Sequence, residues 1–340
     1  MLPKVSIIIV NWNWNVWIKN CLTSLLSQNF KDFEIIFVDN ASTDDSVKFV
    51  EENFPEVILV KSKVNLWFAW WNNLWLKYAR GEYVYLLNSD TESSEDSLSE
   101  LVSFLEKNQE VAIAQPKLIL LKDKERYDAV VSYWTYFTML FYYGVYGRTS
   151  DECLDFPMDT YTVKGAACLI RKKVIEKIWL FDNDYWCYFE ETDFCHRCWI
   201  AGYKVMYSNT SPVYHAGWGS SLKFENEFVQ YHNFKNKLCT YLKNFELYNL
   251  IYIIPVHFII VFGLSLFFLF GEYKKSIALQ RSLIRNLWNI RSTIKKRKTV
   301  QSLRKRKDSE FMPEITRTPN FKYFYYLLTN LQGYELEKSK

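Results

Sequence analysis

The chain opens on a short apolar, β-branched run, Lys4 to Val10, of the kind that fills a parallel strand buried on both faces. Ile18, Cys21, Leu22, Leu25 and Leu26 then recur at helical spacing, so strand passes to helix. Phe33 to Val38 repeats the strand pattern and stops at Asp39, where the polar turn Asn40-Ala-Ser-Thr-Asp44 caps another helix. Val57 to Val60 predicts a third strand, Asn72 to Ala79 a helix, and Glu82 to Leu87 a fourth strand ending at Asn88-Ser-Asp90. Strand and helix alternating at this pitch predict an α/β fold, a Rossmann-like, mostly parallel sheet flanked by helices, with functional loops at the strands' carboxyl ends. Beyond residue 110 the pattern loosens. Val111 to Gln115, Val163 to Arg171, Lys204 to Tyr207 and Val213 to His215 read as strands, with a helix from about Thr192 to Ala201.

A different pattern occupies Leu250 to Phe270, an apolar run whose only strongly polar member is His257, long enough to cross a bilayer. Lys235, Lys237 and Lys243 precede it and Lys274, Lys275, Arg281 and Arg285 follow, so the positive-inside rule draws both flanks to the cytoplasm. Pro255 and Gly263 permit a bend, and a re-entrant or shallow membrane hairpin is the expectation. Charge reinforces it: residues 272 to 310 hold 13 Lys/Arg and 3 Asp/Glu, leaving 29 basic and 35 acidic residues elsewhere. Such a local basic run suits an anionic membrane surface. The expected organisation is a main domain over 1–225, a linker helix over 226–248, a hydrophobic membrane segment over 249–271 and a basic membrane-proximal tail over 272–340, with membrane contact through 249–310. The N-terminal stretch lacks the marks of a signal peptide, and seven irregularly spaced cysteines fit reduced thiols, so the main domain is expected at the cytoplasmic face of the plasma membrane.

Composition adds one anomaly. The chain has 13 Trp and only 10 Gly, about 3% Gly against a usual ~7%. Trp14, Trp67, Trp70, Trp71, Trp75 and Trp179 stand in turn-like stretches that want a tight backbone, with Trp218 a further case. These positions suggest UGA codons that the source reads as glycine. Cys195-His-Arg-Cys198 is half of a zinc or redox spacing, and without a second pair it reads as helix thiols. Neither a dinucleotide-binding nor a P-loop glycine motif is present, even with those Trp read as Gly.

Carboxylates mark the candidate chemistry. Asn88 and Asp90 lie two apart at a strand end and project to one side, offering the hard oxygen donors that Mg²⁺ or Mn²⁺ prefers. Glu190, Glu191 and Asp193 crowd a loop-to-helix junction, where like charges raise one another's pKa towards the range of a general base. Taken alone, the same residues also suit a strand-end turn and a helix N-terminus.

In seven segments the chain resembles the family 2 glycosyltransferases of the GT-A fold, most nearly their bacterial rhamnosyltransferase-like members. They are VSIIIVNWN (5–13), VDNASTD (38–44), NLWFAWWNN (65–73), GEYVYLLNSD (81–90), KGAACLIRK (164–172), LFDNDYWCYFEETDFCHR (180–197) and YHAGWGSS (214–221). The six Trp stand where that family has Gly. The resemblance implies a GT-A fold with a C-terminal membrane-associated helical region, and metal-dependent inverting transfer of a rhamnose-like sugar from a nucleotide-diphosphate donor to a hydroxyl of a lipid-linked or cell-surface glycan. It implies Asp90 and His215 as metal ligands, with Asn88 in an N-S-D variant of the family's metal element. Asn11, Asp39, Asp44, Asn72, Asn88 and Lys164 become donor contacts, Glu191 the base with Asp193 second and Glu190 beside them, and Arg197 a weaker phosphate or acceptor contact. An inactive glycosyltransferase-like scaffold is the alternative. A basic nucleic-acid-binding protein is a further one, which would leave the carboxylates and the apolar segment unexplained.

Overall fold

The computed structural model describes residues 2–65, 72–74, 76–217 and 226–328. The first half alternates as the apolar pattern requires: β1 (Val5–Asn11), α1 (Asn15–Leu26), β2 (Phe33–Asp39), α2 (Ser46–Asn53), β3 (Ile58–Lys61), β4 (Tyr83–Asn88), β5 (Thr91–Ser93), α3 (Ser97–Lys107) and β6 (Val111–Gln115). A strand-rich stretch follows, with β7 (Leu118–Leu120), β8 (Asp123–Ala129), β9 (Val131–Trp134), β10 (Leu140–Tyr143), β11 (Met158–Asp159) and β12 (Ala167–Arg171). After it come α4 (Lys172–Ile178), α5 (Glu190–Ile200), β13 (Lys204–Tyr207) and β14 (Val213–His215).

Eight strands form the main sheet in the order β11-β13-β6-β12-β4-β1-β2-β3. β4, β1, β2 and β3 are mutually parallel, and the buried runs of β1 and β2 fit a sheet covered on both faces. The sheet is mixed, because β12 runs antiparallel between β4 and β6. The chain enters β12 at the carboxyl edge instead of crossing over a helix, and so delivers the Lys164–Ala166 loop beside Asn88, whose N–H donates to the Ala166 carbonyl at 2.9 Å. A second sheet, β5-β14-β7-β8, stands at the same edge.

Some boundaries differ from the expected ones. The strand expected from Val163 begins at Ala167, and the helix expected from Thr192 begins at Glu190. Of the helix expected over Asn72–Ala79, residues 72–74 are helical and 76–78 form a turn, with Trp75 outside the described residues.

The C-terminal third is helical: α6 (Asn226–Asn244), α7 (Leu247–Leu269), α8 (Tyr273–Trp288), α9 (Ile290–Ser302), α10 (Asp308–Ile315) and α11 (Phe321–Leu328). The basic stretch is therefore not an extended tail. Lys296 pairs with Asp182 and Asp184 and so fastens α9 to the α/β domain, while Arg297 donates to carbonyls at the end of α6 and just beyond it, and Arg304 pairs with Asp308 within the helical region. α7 is one continuous helix that includes Pro255, and Ile253, His257, Val261, Ser265 and Phe268 form its one buried stripe. Ser265 bonds Ser276 at 2.7 Å, pairing α7 with α8 as a hairpin.

Candidate active site at the carboxyl edge of the sheet

Parallel register brings the first predicted residues to one level. Asn11 is paired with Asp39, and Val10 with both Val38 and Asn88, so Asp39 and Asn88 end strands on either side of β1, about 10 Å apart at two strand spacings. Asp39 is buried and accepts from the Ser42 N–H. Asn11 donates to the Ser42 hydroxyl at 3.3 Å while its Oδ1 is buried with no hydrogen-bond partner among the described residues. Asp44 accepts from the N–H groups of Asn15 and Ser46, the first residues of α1 and α2, so it holds two helix starts together. Asn72 is buried at the border of the segment 66–71, which is outside the described residues.

β5 and β14 place the metal-type donors. Thr91 pairs with His215, and the Ala216 N–H donates to the Asp90 carbonyl at 3.0 Å. This sets His215 Nε2 3.3 Å from Asp90 Oδ1. Two ligands at adjacent corners of an octahedron with ~2.1 Å bonds stand about 3 Å apart, so this carboxylate and imidazole fit a shared hard cation. The other imidazole nitrogen, Nδ1, lies 2.8 Å from Asp128 Oδ2, and Lys164 Nζ lies 2.6 Å from Asp128 Oδ1. A carboxylate behind a ligating histidine fixes its ring and tautomer, and Asp128 occupies that position. Among the described residues no group of three or more His, Cys, Asp or Glu converges on one point, so further ligands would be donor oxygens and water.

The electrostatics follow from this chain of contacts. Burial works against a proton on His215, but its hydrogen bonds to Asp128 and Asp90 prevail and raise it to about 8. Burial would likewise raise Asp128, and Lys164 and His215 instead hold it well below the usual carboxylate range.

Asp128 carries no signal in the sequence. It sits on β8, in the polar run Asp-Lys-Glu-Arg-Tyr-Asp-Ala, and only the pairing of β8 with β7 and of β7 with β14 brings it behind His215.

The second carboxylate group splits in two. Glu191 lies beside Gly165, whose missing side chain leaves its Cα facing Glu191 Oε1, and Lys164 attracts the Glu191 charge. Glu190 and Glu191 each have a buried oxygen without a hydrogen-bond partner among the described residues. Burial raises both, Glu190 further through the Glu191 charge. Asp193 points elsewhere. It is fully buried, accepts from Arg197 Nε at 2.9 Å and Asn244 Nδ2 at 3.1 Å, and pairs with Lys243 Nζ at 3.1 Å. Arg197, a candidate phosphate contact by sequence, is also fully buried and donates to Asp193 and to the carbonyls of Ile178, Trp179 and Leu180. Asp193 ties α5 to α6, and Arg197 ties α5 to the end of α4 and the loop after it. Cys195 and Cys198 are buried thiols in the same helix.

Of the anomalous tryptophans, Trp67, Trp70, Trp71, Trp75 and Trp218 lie outside the described residues. Trp14 has φ −124°, open to any residue. Trp179 has φ 50° and ψ 156°, a region that only glycine enters without strain.

A mixed sheet with an Asp–His pair and a raised glutamate at its carboxyl edge defines the class, the GT-A glycosyltransferases. The chain belongs to glycosyl transferase family 2, whose profile matches residues 6–179, just over half of its length. Among curated relatives, the UDP-Glc:α-D-GlcNAc-diphosphoundecaprenol β-1,3-glucosyltransferase WfaP of Escherichia coli is 34% identical over 106 residues, 31% of this chain and 42% of that protein. The chain spans under half the length of the leading curated relatives, 45, 39 and 44% for three bacterial glycosyltransferases. S. aureus TarS 1–349 in complex with UDP-GlcNAc has TM-score 0.57 at 17% identity, over 97% of this chain and 88% of that one. The mannosyltransferase PcManGT from Pyrobaculum calidifontis, in complex with GDP-Man and Mn²⁺, has TM-score 0.51 at 16% identity over 85% and 88%. At these identities the solved structures establish the shared fold.

Proposed function

We propose that the protein transfers a sugar from a nucleotide-diphosphate donor to a hydroxyl of a lipid-linked or cell-surface glycan, with inversion at the anomeric carbon. The Asp90–His215 pair backed by Asp128 carries this reading. Asp39 and Asn11 receive the nucleoside, and Asp90 with His215 holds a divalent cation, Mg²⁺ or Mn²⁺, against the diphosphate. Such a cation supplies Lewis-acid stabilisation of charge on the departing diphosphate. The Mn²⁺ named with PcManGT and the lipid diphosphate in the name of WfaP are consistent with both choices.

Glu191 takes the proton of the acceptor hydroxyl as that oxygen attacks the anomeric carbon and the bond to the diphosphate breaks. The hydrophobic surroundings that raise Glu191 make it a stronger base than an exposed carboxylate. Lys164, between Asp128 and Glu191, keeps the two halves of the site in register. Asp193 acts by anchoring α5, and Asp44 by joining α1 to α2. A rhamnose-type donor, from the resemblance of the sequence motifs, is the first to test.

We further propose that α7 lies in the plane of a membrane. Its exposed faces carry Ile251, Ile259, Phe262, Leu266 and Phe267, its 23 residues are uncharged, and only its inner stripe is buried. Spanning would drag α8, with Lys274, Lys275, Arg281 and Arg285, into hydrocarbon.

The deciding experiment measures hydrolysis and transfer from a panel of nucleotide sugars with and without Mn²⁺. Metal-dependent turnover that disappears in Asp90→Ala is expected; turnover indifferent to metal and to Asp90→Ala refutes the assignment.

A further inference from the structure

Where α6, α7 and β10 meet beside the start of α5, the structure holds a pocket of about 150 Å³. Met139, Tyr142, Phe189, Asn233, Lys237 and Phe268 are among its walls. Lys237 is 4% exposed and has no carboxylate partner among the described residues. Its ammonium rests 3.5 Å from Met139 Sδ and 4.5 Å from the centre of the Phe234 ring, weak substitutes for a counter-ion. Burial lowers its pKa to about 8, a direct sign that this charge lacks compensation. Asn233 adds a buried Oδ1 without a partner among the described residues, on an amide that can turn to present its NH₂ instead.

Two neighbours give this pocket a purpose. Phe189 immediately precedes Glu190 and Glu191, and Tyr142 is close enough to feel the Glu191 charge. On the opposite side, Leu264 and Phe268 belong to the last turns of α7, whose exposed apolar surface continues through Phe267 and Phe270. The pocket therefore joins the proposed base to the proposed membrane face, and its one buried charge is positive.

We propose that this pocket binds the phosphate of a lipid-linked acceptor, with Lys237 as its counter-ion, the hydrocarbon chain along α7 and the acceptor hydroxyl directed to Glu191. An anion here satisfies a buried ammonium that no carboxylate among the described residues pairs, and an uncharged lipid alcohol does not. The proposal rests on the glycosyltransferase reading for the identity of its ligand, but the binding it describes needs neither donor nor metal.

Farnesyl phosphate and farnesol serve as probes on the full chain, by titration calorimetry without donor or metal. Farnesyl phosphate is expected to bind at least tenfold more tightly than farnesol, and Lys237→Met to abolish that preference while Lys237→Arg keeps most of it. Asn233→Asp, which supplies an internal counter-ion beside Lys237, is expected to fold and likewise lose the preference, covering the case in which Lys237→Met does not fold. Equal affinity for the two probes, or an undiminished preference in Lys237→Met, overturns the proposal. Flotation with phosphatidylglycerol vesicles separates the sources of phosphate. If Lys237→Met loses vesicle binding and retains the farnesyl phosphate preference, the pocket serves bulk lipid and the proposal is refuted. Failure of Asp90→Ala to affect nucleotide-sugar turnover would sink the catalytic reading and leave these binding results intact.

Discussion

At the scale of single residues, two carboxylates two positions apart in α5 have opposite fates. Glu191 stands at the open edge with a buried oxygen unpaired among the described residues, and Asp193 is held by three basic or amide groups. Glu191→Gln is expected to lower kcat by about 10²–10⁴-fold, the usual worth of a general base. It should also stabilise the protein, with a sign set by linkage. The raised folded pKa makes native protein hold a proton that the unfolded chain releases, so wild-type stability falls as pH rises above ~4.3 through the folded value. The Tm gain of Glu191→Gln should be larger at pH 8 than at pH 5, as a thermal-shift series would show. Asp193→Asn leaves Lys243 and Arg197 undercompensated and should cost about 3–5 kcal/mol, read by denaturant titration. Trp179→Gly removes a positive-φ penalty of about 1–3 kcal/mol against a smaller loss of the indole beneath Arg197, and should raise the Tm. UGG codons at all six anomalous positions would contradict the glycine reading of the sequence.

At the scale of elements, short strands do what helices do elsewhere. β5, β7 and β14 are brief and β8 is mixed in polarity, so their pairings are not predicted from pattern, yet their register builds the Asp90–His215–Asp128 chain. Asp90 and His215 were legible because their flanking motifs are contiguous; Asp128 was not, because its role exists only across three strands. α7 was legible as an apolar run, and its position was not: the buried stripe through His257 is a product of packing against α6 and α8. Ile259 and Phe262 are 68% and 66% exposed. Replacing both with Asp should leave the Tm unchanged and weaken binding to anionic vesicles more than tenfold, since each buried apolar side chain contributes about 1.5–3 kcal/mol.

At the scale of the molecule, the C-terminal helices help to support the α/β domain. Lys243 on α6 and Lys296 on α9 meet at Asp182, and Lys243 reaches on to Asp193, two residues from Glu191. Burial would raise Asp182 and Asp193, and these cations hold both below the ordinary range. Groups with depressed folded pKa values contribute stability that is present above the unfolded value near 3.9 and lost as pH falls through the folded one. Acid unfolding should therefore begin below about pH 4 to 5, and Asp193→Asn should flatten the Tm-against-pH curve there. A steep acid limb unchanged in that variant would exclude Asp193 as its source.

The sequence by itself determined the α/β alternation, the family motifs and the apolar helix, because each is written in contiguous residues as spacing, type or length. It also marked Asp90, His215 and Glu191 as candidates, which stand inside those motifs. Only the tertiary structure decided that β12 turns the sheet mixed, that Asp128 backs His215, and that Asp193 and Arg197 are buried and paired with each other. The same holds for the basic segment, which folds against the domain, and for Lys237, buried without a carboxylate partner among the described residues. Those outcomes depend on which distant charges and strand edges meet, and one-dimensional order does not contain that contact information.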